Sequence, residues 1–251
     1  MSTEDDWKKW GEIDPYFGVL SRADFKTSTM DCCSRGEFFE TGETRIARLF
    51  ETLHTHFCVS PPVARTLDFG CGVGRLLVPL ARRSQRTLGV DVSEHMLEEA
   101  RSNCSKNDLL SVQFSQSSLL KQQEKGAFDL IVSLLVFVHI PWKKGRHILR
   151  TLAQLARPGG VLAVQVLYGT TATPIIRRSV EFSYWIKPLH WLRNIRAGRN
   201  WSTPAMQLHV YPLQQLLEIL RSENFKELIV ELDNDAPPEF RSCTVIARKA
   251  G

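Results

Sequence analysis

The stretch Asp68-Phe69-Gly70-Cys71-Gly72-Val73-Gly74 combines residue types and spacing that bear directly on chemistry. Three alternating glycines behind an apolar run let backbone pass very close to a ligand. A dinucleotide fingerprint needs Gly-x-Gly-x-x-Gly, and counting from Gly70 its third glycine place is held by Arg75. A phosphate loop is excluded too, because no Gly-Lys-Ser/Thr follows. A carboxylate at Asp68 would repel a pyrophosphate and suits a ligand bearing an ammonium or sulfonium charge. The competing reading is a buried Asp that only caps the turn. Further along, Asp91 closes the apolar run Gly89-Val90-Asp91. An acid at a strand end suits a ribose diol and disfavours a 2′-phosphate.

Four pieces, in order, resemble the class I S-adenosylmethionine-dependent methyltransferases of the small-molecule type. They are Leu67 to Gly74, Gly89-Val90-Asp91-Val92-Ser93, Phe128-Asp129-Leu130-Ile131-Val132-Ser133 and Arg157-Pro158-Gly159-Gly160. The resemblance covers 40–168 well and 205–250 loosely. It implies a Rossmann-like α/β fold: a seven-stranded, mostly parallel sheet with the last strand antiparallel and helices on both faces. It places the methionyl end of S-adenosylmethionine, or of its product S-adenosylhomocysteine, on Asp68, Gly70, Cys71 and Gly72, and the ribose on Asp91. Val92 and Met96 flank the adenine, and Ser133 and Leu134 line the methionine side. After the third strand the family usually carries Asp or Asn. Ser118 holds that place here, so Ser117, Ser118 and Leu119 are expected to contact the adenine through hydroxyl or backbone.

The implied reaction is methyl transfer to a small-molecule acceptor, on oxygen or nitrogen rather than carbon. His139, just past the fourth strand, is the candidate base, because imidazole can take a hydroxyl proton near neutral pH. The competing role is shaping the pocket. His209 and Tyr211 are weaker candidates, and His54 and His56 read as surface residues. Either Arg35 or Arg45 could pair with a cofactor carboxylate. No Cys-x-x-Cys and no Cys/His cluster at zinc spacing occurs, so no metal is expected. A cofactor-binding protein without turnover, or an RNA or protein methyltransferase, are the rival functions.

These residues need elements that deliver them to one edge. Residues 64–69, 87–91, 111–114, the first half of 128–138, and 161–167 read as strands. Between them 76–83, the stretch after Ser93, and 143–156 show helical spacing, which argues for a parallel sheet with ligands at the strands' carboxyl ends. Later, 213–220 reads as a helix, and 228–232 and 244–248 as strands. Residues 1–60 read as an N-terminal helical lid segment, with Trp10, Tyr16 and Phe17 as candidate lid aromatics, and 61–251 as the methyltransferase domain. A cap, 170–205, is inserted in it. Within 174–201 six Lys and Arg face Glu181 alone, among Phe182, Tyr184, Trp185, Trp191 and Trp201. That composition suits an anionic or aromatic acceptor or a membrane headgroup surface, and Arg193, Arg196 and Arg199 are expected to select the acceptor.

The 251 residues, 43% hydrophobic and 24% charged, exclude a disordered chain or a coiled-coil rod. A net charge of +5 is too small to announce a nucleic-acid binder. The acidic start, Met-Ser-Thr-Glu-Asp-Asp-Trp, lacks a secretory pattern, and the longest apolar run is too short to span a bilayer. A cytoplasmic protein with reduced cysteines is expected. The oligomeric state is left open.

Overall fold

The computed structural model describes residues 3–171, 194–196, 200–233 and 236–251. Its centre is a seven-stranded sheet of β1 (Val63–Phe69), β2 (Ser84–Asp91), β3 (Val112–Gln116), β4 (Phe128–Ser133), β5 (Ala156–Thr170), β6 (Phe225–Asp233) and β7 (Phe240–Lys249). The strand order is β3-β2-β1-β4-β5-β7-β6. The pairs among β1 to β5 are parallel, and β7 runs antiparallel to both β5 and β6. The α/β fold implied by the resemblance is the fold found. Chain order reverses between β1 and β4, and such a switch point opens a crevice at the carboxyl ends of the strands.

The central strands are buried on both faces, which is why they read as continuous apolar runs. On one face α6 (Trp142–Leu155) and α7 (Leu213–Ser222) cover Leu67, Val90, Ile131 and Val164. On the other, α3 (Cys32–Phe57) lays Ile46, Leu49, Phe50, Leu53 and Phe57 against Leu130, Val132, Val161 and Ile246. Each such side chain, fully buried, contributes about 1.5–3 kcal/mol. Asp31 and Ser34 form a capping box at the start of α3, with Ser34 N–H donating to Asp31 at 2.8 Å. Thus α3 is a layer of the sheet's core. Before it in the chain, α1 (Thr3–Ile13) and α2 (Pro15–Val19) pack Trp10 and Tyr16 with Phe25, Phe38, Val73 and Met96.

Several boundaries differ from the sequence reading. Helix α4 is Leu77–Arg82, so Pro79 falls in its first turn, where its missing N–H has no intrahelical partner to lose. Strand β5 begins at Ala156 rather than 161 and runs on to Thr170, which pairs with Phe240. The ladder continues past the apolar core because backbone hydrogen bonds need no apolar side chain. The inserted segment 170–205 lies mostly outside the described residues, and of Arg193, Arg196 and Arg199 only Arg196 is within them.

Candidate active site

Strand β1 ends in a turn in which Gly70 (φ +79°) and Gly72 (φ +53°) both take left-handed backbone. A Cβ on Gly70 would meet Val136 Cγ2 at 2.3 Å, and one on Gly72 would meet Val19 Cγ2 at 2.7 Å. Only glycine satisfies both the angle and the close approach. The turn is tied to the second strand: Gly70 N–H and Cys71 N–H both donate to the Val90 carbonyl, at 2.7 and 3.0 Å. Asp91 completes the tie. One carboxylate oxygen accepts from Gly72 N–H at 2.9 Å and the other from Ser93 N–H at 3.0 Å. Burial raises the Asp91 pKa, opposed by these backbone donors. Ser93 in turn caps α5 (Glu94–Ser105) by accepting from Met96 N–H.

Around this turn lies a cavity of about 320 Å³. Asp68, Gly70, Cys71, Gly72, Asp91, Val92, Met96, Ser117, Ser118, Leu134 and His139 all line it. Two residues from the sequence reading do not. The Leu119 side chain is 42% exposed, and Leu120 faces the cavity in its place, because the turn after β3 winds as a 3-10 helix. Ser133 is fully buried and donates to the Phe69 carbonyl at 2.9 Å, bracing β4 against the end of β1. Sequence reasoning missed Trp7, Val19, Arg75, Gln116, Leu135 and Val136, which also line the cavity. Only Trp7 had a signal, as an aromatic within the segment expected to be a lid.

The Asp68 carboxyl is 1% exposed, and its Oδ2 has no hydrogen-bond partner among the described residues. Burial, aided by repulsion from Asp91, pushes its pKa up to about 7 against the opposing pull of the Arg75 guanidinium. A buried carboxyl oxygen left open on a cavity wall is a site for a cationic donor. Cys71 is also buried, which drives its thiol well above the ordinary range and leaves it an inert wall.

His139 stands across the cavity in a short turn after β4. Its Nδ1 lies 2.8 Å from the Gln207 carbonyl. A carbonyl only accepts, so Nδ1 carries the hydrogen and Nε2 keeps the lone pair. Burial lowers the pKa to about 4, so the ring is neutral. The Trp7 ring packs on it at 4.8 Å between centroids. Gln207 and His209 belong to the chain returning from the inserted segment, and His209 N–H donates to the Val138 carbonyl. Tyr211 is buried and donates to the Ile140 carbonyl at 2.7 Å, a brace away from the cavity wall. His54 and His56 are exposed on α3. Neither arginine proposed for the cofactor carboxylate reaches the cavity. Arg35 donates to Tyr16 and Asn103, while Arg45 pairs with the buried Asp233 at 2.8 Å. Buried oxygens on neighbouring elements have claimed both guanidinium groups.

Residues 66–160 match the family model described as a methyltransferase domain. They belong to the class I S-adenosylmethionine-dependent methyltransferases. Among curated relatives, this methyltransferase segment is similar to a ubiquinone biosynthesis O-methyltransferase from Acinetobacter baylyi, 30% identical over 98 residues. It is also similar to a trans-aconitate 2-methyltransferase from Deinococcus radiodurans, 36% identical over 107 residues. The matches take in 38% and 42% of this chain, and the chain spans only 40% and 38% of those relatives. Among solved structures, a magnesium protoporphyrin IX methyltransferase from Synechocystis with bound SAM shares the fold. It aligns with a TM-score of 0.61 at 17% identity, covering 100% of this chain and 98% of that one.

Proposed function

We propose that the protein transfers a methyl group from S-adenosylmethionine to a hydroxyl oxygen of a small, largely apolar acceptor. One observation carries this reading: a single cavity holds the open carboxyl oxygen of Asp68, the strand-end acid Asp91 and the neutral ring of His139. The residues fit the cofactor. Asp68 would take its ammonium, Gly70 and Gly72 would present bare backbone to its methionyl end, and Asp91 would take the ribose hydroxyls. Val92, Met96, Ser117, Ser118 and Leu120 offer an apolar wall with two hydroxyls for the adenine. When bound, S-adenosylmethionine supplies an electrophilic methyl carbon, so alignment does most of the work. His139 Nε2 accepts a hydrogen bond from the acceptor hydroxyl and orients its lone pair. At a pKa of about 4 the ring is a weak base, so it orients the hydroxyl and relays the proton released on methylation to solvent without storing it. Trp7, Ile140, Pro141 and Ile148 supply the apolar wall beside it. The O-methyltransferase name of the Acinetobacter relative supports oxygen over nitrogen.

No helix among the described residues is long and apolar enough to cross a membrane. A cytoplasmic setting fits that and the six free cysteines. The test is calorimetric titration with S-adenosylhomocysteine, then transfer from labelled S-adenosylmethionine to matched phenols, amines and RNA. Saturable binding and labelling of phenols are expected. Absence of binding overturns the cofactor reading, and labelling of RNA or amines alone overturns the acceptor.

A further inference from the structure

Behind the cavity wall lies a chain of buried polar side chains that the reaction does not use. Leu135 lines the cavity with φ at +63°, a left-handed conformation that leucine disfavours. Its N–H donates to Gln165 Oε1 at 3.0 Å. Gln165, on β5, is 2% exposed and lies off the cavity wall. Its amide donates to Asp233 Oδ2 at 3.2 Å, and the same oxygen accepts from Thr244 Oγ1 at 2.8 Å. Asp233 Oδ1 accepts from Arg45 at 2.8 Å, and that guanidinium also reaches Thr244. A left-handed leucine persists only where its surroundings over-determine it. Next to it, Val136 packs against the bare Cα of Gly70, so the backbone at 134–136 abuts the glycine turn.

We propose that Gln165 is a positioning residue: anchored by Asp233 and Arg45, it holds the left-handed turn at Leu135 and thereby shapes the methionyl end of the cofactor site. The proposal rests on the cofactor reading above. It asks Gln165 to do two separable things, accept from Leu135 N–H and donate to Asp233. Gln165→Met keeps the length and removes both. Gln165→Glu keeps an acceptor for Leu135 but sets a carboxyl against Asp233, so it is the less stable protein.

S-adenosylhomocysteine affinity and thermal stability are measured on both variants and the parent. Gln165→Met should bind about tenfold more weakly, and Gln165→Glu within about threefold of the parent despite a lower Tm. Unchanged affinity in Gln165→Met, or affinity that simply follows Tm through the series, overturns the proposal. Hydrogen exchange of the Leu135 amide in the ligand-free parent is the arm that needs no variant. It should be slow, and fast exchange overturns the proposal even if neither variant folds. A parent that binds no S-adenosylhomocysteine yet protects Leu135 sinks the cofactor reading and the positioning role that depends on it, and leaves the Gln165–Leu135 contact intact.

Discussion

Asp68, the proposed partner of the cofactor's ammonium, illustrates how such a residue can work against stability. Its pKa is 3.8 in a free chain and about 7 in the fold. Between those values the unfolded chain gives up a proton that the folded one keeps, so stability falls as pH rises through that window. The penalty is fully present above about pH 7. Asp68→Asn should therefore raise Tm at pH 8 while weakening S-adenosylhomocysteine binding by tenfold or more, because the amide keeps an acceptor but loses the charge that strengthens the bond to an ammonium. Loss of Tm together with affinity would show that the carboxylate is structural. Asp91 has a different balance, since it holds Gly72 and Ser93 as well as facing the cavity. Asp91→Ala should cost about 1.5–3 kcal/mol of cofactor binding, as hydrogen bonds to a charged group do. It should also lower Tm, through the two released N–H groups. Calorimetry and melting of the same sample check both.

At the scale of elements, α1 and α2 are held to the domain by close approach, by the ion pair of Glu4 with Lys144 on α6 and by a polar cluster at Tyr16. A Cβ on Gly11 would stand 2.2 Å from Ser93 Oγ, the group that caps α5. Tyr16 OH donates to Glu99 at 3.0 Å and accepts from Arg35 and Asn103, tying α2 to α3 and α5. Gly11→Ala should therefore lift α1, at about 1–3 kcal/mol of overpacking. Cleavage near Ile13 by a protease should speed up, and cofactor affinity should drop severalfold, while the sheet still melts as one unit. Unaltered proteolysis would mean that α1 does not rest on Ser93. The elements themselves were legible from residues 64 to 167, where apolar strands alternate with stretches of helical spacing. Their lengths were less so. The pairing that extends β5 to Thr170 and β7 back to Phe240 is a backbone matter to which side-chain patterning is blind.

For the whole molecule, two buried groups titrate against each other. His139 is 6.5 in a free chain and about 4 in the fold, so its burial lowers stability as pH falls from about 6.5 towards 4. Asp68 acts in the opposite direction over most of that range, which flattens the stability profile of the ligand-free protein. Ligand removes the flatness. An ammonium on Asp68 favours its ionised form, so S-adenosylhomocysteine affinity should fall about tenfold per pH unit below pH 7. The Tm gain at a fixed ligand concentration should be larger at pH 8 than at pH 6. With cofactor saturating, kcat should show no break near 6.5, because His139 stays neutral there. A kcat limb at that pH would mean that the ring titrates in the complex.

The sequence by itself determined the parts of this protein whose meaning is local. A glycine turn with an acid before it, a second acid at a strand end and a histidine just past the fourth strand are set by neighbours a few residues away. Parallel strands bring all three to one edge whatever the details of packing. Only the tertiary structure decided which side chains from distant positions close the site. Arg45 is as plausible a carboxylate partner as Arg75 by residue type. Yet α3 places it on Asp233, 188 positions away, while Arg75 sits buried beside Asp68. Ser133 turns inward to brace β1, and Leu119 turns outward to solvent, because a strand alternates its faces and a 3-10 turn rotates 120° per residue. Gln165 reads in sequence as one polar residue in an apolar strand. Its partners, Leu135 and Asp233, meet it only after β4, β5 and β7 have paired and brought β6 alongside, and no short-range pattern carries that information.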